Sequence, residues 1–218
     1  MSEVRDEPVN RLERRKQRTR AALIQAARGF IASGKTNAPV LEITQAADVG
    51  MGSFYNHFES KEELFEAAVA DVLDNHGALL DQLTGTSDDP AETFARSFRL
   101  TGRLFRRRPQ ESQILLVSGF SLMASDRGLA PRAQRDIAAA ADAGRFTVDD
   151  PKLAMAVAAG ALLGLGKLLQ DEPERDDAAA ADRVTEDVLR LFGVPADEAH
   201  EICTRPLPDL DDAGLTAP

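Results

Sequence analysis

The apolar residues of this chain recur three or four positions apart, which is the spacing of one buried face on a helix. No stretch alternates apolar and polar residues as a half-buried strand would, and the β-branched residues are scattered. The pattern therefore predicts an all-α protein. In the first helical segment, residues 14–33, the apolar positions include Leu23, Ala26, Ala27, Phe30 and Ile31.

Capping and stop residues divide the rest of the chain into further helices. Ser60 and Glu63 have the spacing of a capping box, and the Asp-Pro pairs at 89–90 and 150–151 each open a helix. The predicted helices after the first are 39–47, 51–57, 60–83, 90–106, one that carries Ile114 to Met123, 131–143, 151–169, 178–192 and a short one opened by Pro195.

The segment 40–61 has the composition of a helix-turn-helix unit, in which a first helix braces a second one. Two small residues, Ala46 and Ala47, allow close helix crossing, and Asp48 tolerates the left-handed backbone of a turn better than most residues. Tyr55 is the only tyrosine of the chain, and we expect it on the exposed face of the second helix. The segment predicts a DNA-reading surface, with a plain helical hairpin as the alternative.

Charge is distributed unevenly along the chain. The formal net charge is −10 and the sequence pI is about 4.8, which argues against a protein that coats nucleic acid over its whole surface. Residues 11–35 nevertheless hold eight basic side chains and one acidic one, a net charge of +7, so the remainder carries −17. This asymmetry favours an anionic partner at the basic end, and the alternative is a solvated helix start.

Two segments resemble the N-terminal domain of the TetR family of transcriptional regulators: residues 18–34 (RTRAALIQAARGFIASG) and 41–64 (LEITQAADVGMGSFYNHFESKEEL). The resemblance is most specific at the spacing Tyr-x-x-Phe-x-x-Lys-Glu, residues 55–62. The chain departs from the family pattern at Pro39, Asp48, Gly50 and Met51.

The resemblance implies a three-helix helix-turn-helix DNA-binding domain and a larger helical domain that binds ligand and dimerises. We expect a flexible arm at 1–12, the DNA-binding domain at 13–60, the ligand-binding and dimerisation domain at 61–205 with a connecting helix at 61–83, and a flexible tail at 206–218. The implied partners are a pseudo-palindromic double-stranded DNA operator, a small-molecule inducer and a second copy of the chain. No cofactor and no membrane are implied.

Three sets of residues carry these expectations, and for the ligand and dimer sets the alternative is ordinary core packing. The expected DNA contacts are Arg14, Arg15, Arg18, Met51, Gly52, Ser53, Tyr55, Asn56, His57 and Lys61. The expected ligand contacts form an apolar wall suited to a hydrophobic or amphipathic molecule: Phe94, Phe98, Thr101, Phe105, Leu116, Phe120, Met123 and Met155. The expected dimer contacts are Leu153, Val157, Gly160, Gly164, Leu168, Val184, Val188 and Leu191.

The sequence carries no familiar catalytic motif: G-x-S-x-G, Walker A, H-E-x-x-H and C-x-x-C are all absent. His200 and Cys203 supply only two metal ligands, so we expect no metal site. We therefore expect a DNA-binding regulator, a repressor rather than an enzyme. The alternative is a helical small-molecule-binding protein or enzyme without a DNA role.

The sequence also predicts a soluble, cytoplasmic protein. Cys203 is the only cysteine, which excludes an intrachain disulfide framework and suits a reducing compartment. No uncharged run exceeds 14 residues, the length of residues 153–166, which is fewer than the roughly 20 that a membrane span needs. No apolar stretch near the N-terminus has the form of a signal peptide.

Overall fold

The computed structural model describes residues 9–84, 87–124, 128–208 and 210. Helix is the only regular secondary structure of these residues, so the predicted all-α class is confirmed. The helices are α1 (Val9–Ala32), α2 (Val40–Ala46), α3 (Met51–Phe54), α4 (Lys61–Thr84), α5 (Pro90–Arg107), α6 (Pro109–Ser118), a 3-10 helix (Gly119–Ala124), α7 (Leu129–Asp142), α8 (Pro151–Asp171), α9 (Asp177–Leu191) and α10 (Ala196–Thr204).

The chain divides into two compact units, residues 1–71 and 72–218. The first unit contains α1, α2, α3 and the first part of α4. Its boundary lies inside α4, beyond the expected one at residue 60, because the buried residues Leu64 and Ala68 of α4 belong to the first unit. The largest fully buried side chains of this unit are Leu23, Ile43, Phe54, Phe58 and Leu64.

Helix α5 is central to the second unit, where it packs against α6, α7, α8, α9 and α10. Four phenylalanine rings form the middle of the core on one side of α5: Phe94, Phe98, Phe146 and Phe192. Their neighbouring centroids lie 5.2–5.9 Å apart, a range in which aromatic pairs stabilise a core beyond their buried area.

Local capping explains where several helices begin. The Asp89 carboxylate accepts a 2.9 Å hydrogen bond from the Ala91 amide, and Asp150 accepts one from the Lys152 amide, so both predicted Asp-Pro starts are confirmed. The Ser60 hydroxyl oxygen accepts from the Glu63 amide at 3.1 Å. The Glu63 carboxylate reaches back to the Glu59 amide, one residue before the position that a standard capping box uses.

Two predicted helices are shorter than expected. The helix predicted to run to Met123 ends at Ser118, because Gly119 adopts φ 52° and ψ −137°, and the chain continues as a 3-10 helix. Helix α3 ends at Phe54 rather than at residue 57. Turn hydrogen bonds follow it, with the amides of His57 and Phe58 both donating to the Phe54 carbonyl.

The first residues of the expected tail are packed. Leu210 is buried and Leu207 half-buried, and both contact a cluster that includes Leu80, Leu100 and Leu104. Residues 209 and 211–218 of that expected tail lie outside the described residues, as do residues 1–8 of the expected flexible arm. Residues 9–12 of that arm belong to α1.

Candidate DNA-binding surface and ligand cavity

The turn between α2 and α3 has the backbone that a helix-turn-helix unit requires. Asp48 has φ 53° and is the only non-glycine residue with positive φ among the residues described. The Asp48 amide donates to the Gln45 carbonyl at 3.2 Å, and the Val49 amide donates to the Thr44 carbonyl at 3.0 Å. Ile43 before the turn and Phe54 after it are fully buried, so the core of the unit fixes both helices.

Helix α3 and the turn after it present a polar and aromatic face to solvent. Met51 and Tyr55 are 45% and 61% exposed, and Gly52 and Asn56 are exposed beside them. The Tyr55 ring meets the buried Phe54 ring edge-on, with the two centroids 5.1 Å apart. This contact anchors the Tyr55 ring on one side and leaves its other side accessible to solvent. Ser53 and His57 are half-buried at the edge of this face.

Basic side chains of α1 lie in solvent, and one of them stacks on an aromatic ring of the first unit. The three arginines predicted to contact DNA, Arg14, Arg15 and Arg18, are exposed. Arg20 stacks over the ring of Phe58 with its guanidinium carbon 5.0 Å from the centroid, which packs α1 against the segment between α3 and α4. Lys61 opens α4 half-buried, with its ammonium 4.0 Å from the Glu62 carboxylate.

The second unit contains a partly open cavity of about 120 Å³ between α4, α5, α7, α8 and the 3-10 helix. Most of its wall is apolar. Six of the eight predicted ligand contacts line it: Phe94, Phe98, Thr101, Phe105, Met123 and Met155. The other two lie elsewhere, since Leu116 packs against the Phe105 and Leu165 cluster and Phe120 is 61% exposed on the 3-10 helix.

One side of the cavity wall is charged, which the sequence pattern did not predict. Arg132 of α7 pairs with Asp81 of α4, its Nη2 lying 2.7 Å from Oδ2 and its Nε 3.2 Å from Oδ1. Its Nη1 donates to the Gly128 carbonyl at 3.0 Å. The hydrogen bonds from Arg132 hold the pKa of Asp81 below its usual range, so this carboxylate is ionised at neutral pH.

A second carboxyl group lines the same wall. Asp136 is buried, and Arg135 donates to it from Nε at 3.1 Å. Burial raises the pKa of Asp136, and the hydrogen bond from Arg135 only partly offsets that effect. A sequence pattern could have found it, because Asp136 shares the inward face of α7 with Ala133, Ile137 and Ala140.

A buried histidine supports one polar group of the cavity. The Nε2 of His76 lies 3.2 Å from the Thr101 hydroxyl, which in turn donates to the Ser97 carbonyl at 2.9 Å. Burial lowers the pKa of His76 to about 4, with further lowering from the positive charges of Arg108 and Arg132 and an opposing effect of Glu111. His76 is therefore neutral at physiological pH, and its imidazole fixes the Thr101 side chain.

An apolar stripe on α8 and α9 faces solvent in the single chain. Six of the eight predicted dimer contacts lie on it: Leu153, Val157, Gly160, Gly164 and Leu168 follow one face of α8, and Leu191 ends α9. Val184 and Val188 differ, because Val184 packs against two core clusters and Val188 is buried in the cluster with Phe192 and Ala199. Both are therefore packing residues of the single chain.

Helix α8 is longer than the uncharged run that the sequence shows. It has 21 residues and a mean hydropathy of 1.6 over its most apolar window, so by length and composition alone it could cross a membrane. In this structure it packs against α5, α7 and α9. Part of its apolar surface therefore belongs to the helical core and part to the exposed stripe.

The His200 and Cys203 pair does not form a metal centre in the described part of the chain. The Nδ1 of His200 lies 3.2 Å from the Glu186 carboxylate, while burial raises the pKa of the Cys203 thiol to about 12. No group of three His, Cys, Asp or Glu side chains among the described residues is placed to hold a metal ion.

A helix-turn-helix unit joined to a helical unit with a cavity is the arrangement expected of a ligand-responsive transcriptional regulator. Comparison with family models gives the same result for each unit. The model described as bacterial regulatory proteins, tetR family, matches residues 23–68, and the model described as tetracyclin repressor-like, C-terminal domain, matches residues 89–205. The chain belongs to the TetR family of transcriptional regulators.

Solved structures agree with this assignment. RolR without ligand is 34% identical to this chain, with 87% of this chain and 98% of RolR covered and a TM-score of 0.71. RolR in complex with resorcinol is 32% identical, with 90% and 98% covered and a TM-score of 0.62. A putative TetR family regulator from Shewanella sp. PV-4 is 16% identical over 81% of this chain and 99% of its own, with a TM-score of 0.71, which shows a shared fold. The search of curated proteins found no match.

The buried His76 predicts a specific loss of stability in mild acid. The unfolded chain binds a proton near pH 6.5 and the folded chain only near pH 4, so stability falls as the pH drops through this window. Between pH 7.5 and 5 we expect the free energy of unfolding to fall by about 1–2 kcal/mol more in the wild type than in His76→Gln. Denaturant unfolding at both pH values measures this difference. Equal losses in the two proteins would contradict the assignment.

Proposed function

We propose that this protein is a homodimeric transcriptional repressor that leaves its operator when a small hydroxylated aromatic molecule occupies the second unit. The observation that carries the proposal is the pairing of an exposed helix-turn-helix face with a small, mostly apolar cavity that has one charged side. The protein acts in the cytoplasm, where its DNA target lies.

The DNA part is supported by the geometry of the first unit. Helix α3 is short, and its exposed Met51 and Tyr55 stand at the N-terminal end and just past the C-terminal end, so both can reach groove edges or phosphates. The exposed arginines of α1 supply phosphate contacts, which position a protein on DNA without reading sequence. The acidic remainder of the chain repels DNA and so restricts contact to this basic unit.

The dimer part is supported by the exposed stripe on α8 and α9. Contiguous apolar surface of this kind is unfavourable in water and marks an interaction site. Gly160 and Gly164 lie on the stripe with nothing within 4 Å of the position a Cβ would take, so a second helix can approach the backbone closely there. A two-fold dimer places two reading helices on successive half-sites of a pseudo-palindromic operator.

The ligand part is supported by the size and chemistry of the cavity. An apolar cavity of about 150 Å³ binds benzene in another protein, so a cavity of about 120 Å³ suits a single ring rather than a drug-sized molecule. Asp136 and the Asp81–Arg132 pair offer hydrogen-bond partners to polar groups on that ring. RolR, about one-third identical to this chain, binds resorcinol, a benzene ring with two hydroxyl groups.

Release requires that the ligand bind one conformer of the dimer better than another. Helix α4 contributes to both units: Lys61 opens it in the first unit, and Leu80 and Asp81 near its other end line the cavity. A ligand that contacts Asp81 therefore acts directly on the helix that also carries a DNA-contacting residue. We propose that the liganded conformer holds the two reading helices at a spacing that does not match the operator.

The double variant Tyr55→Ala/Lys61→Ala is expected to lose operator binding by at least 100-fold, because it removes one base-edge or phosphate donor and one phosphate charge. The operator is first obtained by selection from random duplexes, and affinity is then measured at several salt concentrations. Arg175→Ala, which removes an exposed positive charge from a loop of the second unit, is the matched control and should retain near wild-type affinity. Undiminished binding by the double variant would place the reading surface elsewhere.

Val157→Glu is expected to convert the dimer to a monomer, because it buries an unpaired carboxylate in the proposed interface. Val117→Glu on α6 is the matched control, since Val117 is 47% exposed and Val157 41%, but Val117 lies outside the stripe. Light scattering after gel filtration gives the mass of each. A wild-type monomer, or a Val157→Glu dimer of unchanged stability, would contradict the assigned interface.

Resorcinol is expected to bind the cavity and to release the protein from its operator, whereas toluene, of similar size but without hydroxyl groups, should bind at least 10-fold more weakly. Asp136→Asn should weaken resorcinol binding about 10-fold or more, because it changes the acceptor pattern of the charged wall. Phe120→Ala, outside the cavity, is the control and should bind normally. Calorimetry and operator release measure both effects. Equal affinity for resorcinol and toluene would argue against a hydroxylated ligand.

A further inference from the structure

Helix α4 lacks a side chain at the point where the Arg132 guanidinium crosses it. A Cβ built on Gly77 would lie 2.5 Å from the Arg132 Cζ and 3.0 Å from its Nε, far inside normal contact distance. Gly77 is buried in the interior of α4, where glycine destabilises a helix relative to alanine. Gly77 therefore lowers the stability of α4, but it leaves open the space beside α4 that the Arg132 guanidinium occupies.

The Arg132 guanidinium cannot move away from Gly77 and keep its partners. It donates to both oxygens of Asp81, one turn further along α4, and to the Gly128 carbonyl at the start of α7. Gly128 itself has φ 72°, and a Cβ there would collide with the Leu73 side chain of α4. Two glycines, one on each side, thus bring α4 and the start of α7 close enough for this arginine to bridge them.

We propose that Gly77 is a positioning residue for the ligand site: it admits the Arg132 guanidinium to the cavity wall and so sets the affinity for a polar ring substituent. The proposal rests on the ligand cavity of the proposed function. Gly77 contacts the ligand only through Arg132. Because a long, flexible side chain can yield, a methyl group at position 77 displaces the guanidinium and leaves the fold intact.

A double-mutant cycle separates this role from simple helix propensity. Gly77→Ala, Arg132→Ala and the double variant are compared with the wild type for resorcinol affinity by calorimetry and for the melting temperature without ligand. In the wild-type background Gly77→Ala should weaken resorcinol binding at least 10-fold and give no gain in melting temperature. In the Arg132→Ala background it should leave affinity unchanged and raise the melting temperature by about 2–4 °C, the full effect of the better helix former.

Ala78→Gly is the matched control, because it makes the reverse change at the neighbouring exposed position of α4. It should lower the melting temperature and leave resorcinol affinity within two-fold of wild type. The proposal is overturned if Gly77→Ala raises the melting temperature equally in both backgrounds, or if it leaves wild-type resorcinol affinity unchanged.

The two halves of the cycle distinguish this proposal from the proposed function. If wild-type protein binds no resorcinol, the assignment of a hydroxylated aromatic ligand fails. The melting temperatures then still decide whether Gly77 positions Arg132, because that half of the cycle needs no ligand. If the change in melting temperature caused by Gly77→Ala depends on whether Arg132 is present, the positioning role is supported. An equal change in both backgrounds overturns it.

Discussion

The architecture of the second unit depends on one buried positive charge. Arg99 of the central helix α5 is 3% exposed, and a buried guanidinium is tolerated only when all sides are paired. Its Nε donates to Asp182 of α9 at 2.7 Å, and its Nη1 donates to the Arg205 carbonyl at 2.9 Å, just after α10. Helices α9 and α10 are therefore tied to α5, which supplies part of the cavity wall through Phe94, Phe98 and Thr101.

Local sequence signals predicted where the helices lie, whereas the cavity wall and the burial of individual helix faces depend on tertiary contacts. Asp89 and Asp150 cap their own helices, so the sequence alone located both starts. The charged side of the cavity could not be found in this way, because Asp81 and Arg132 lie 51 residues apart and become partners only when α4 and α7 meet. Val188 shows the same difficulty: a helical stripe indicates a buried face without indicating whether the chain itself or a second copy buries it.

The cavity and the exposed face of α3 place different demands on their residues. In the cavity wall, the neutral His76 behind Thr101 holds a hydroxyl dipole in place without adding charge. On the face of α3, the Tyr55 ring is accessible to solvent and is anchored from below by Phe54. The glycines of the second unit also differ in their surroundings, since the space beside Gly160 and Gly164 is open while the space beside Gly77 is filled by Arg132.

The small volume of the cavity limits the affinity that a ligand can reach there. A volume of about 120 Å³ holds a ligand of roughly eight non-hydrogen atoms. At the ceiling of about 1.5 kcal/mol per atom, such a ligand binds with a Kd no lower than about the nanomolar range. The cavity therefore sets a lower limit on the ligand concentration that half-saturates it, and a response below that limit requires the cavity to widen around a larger molecule.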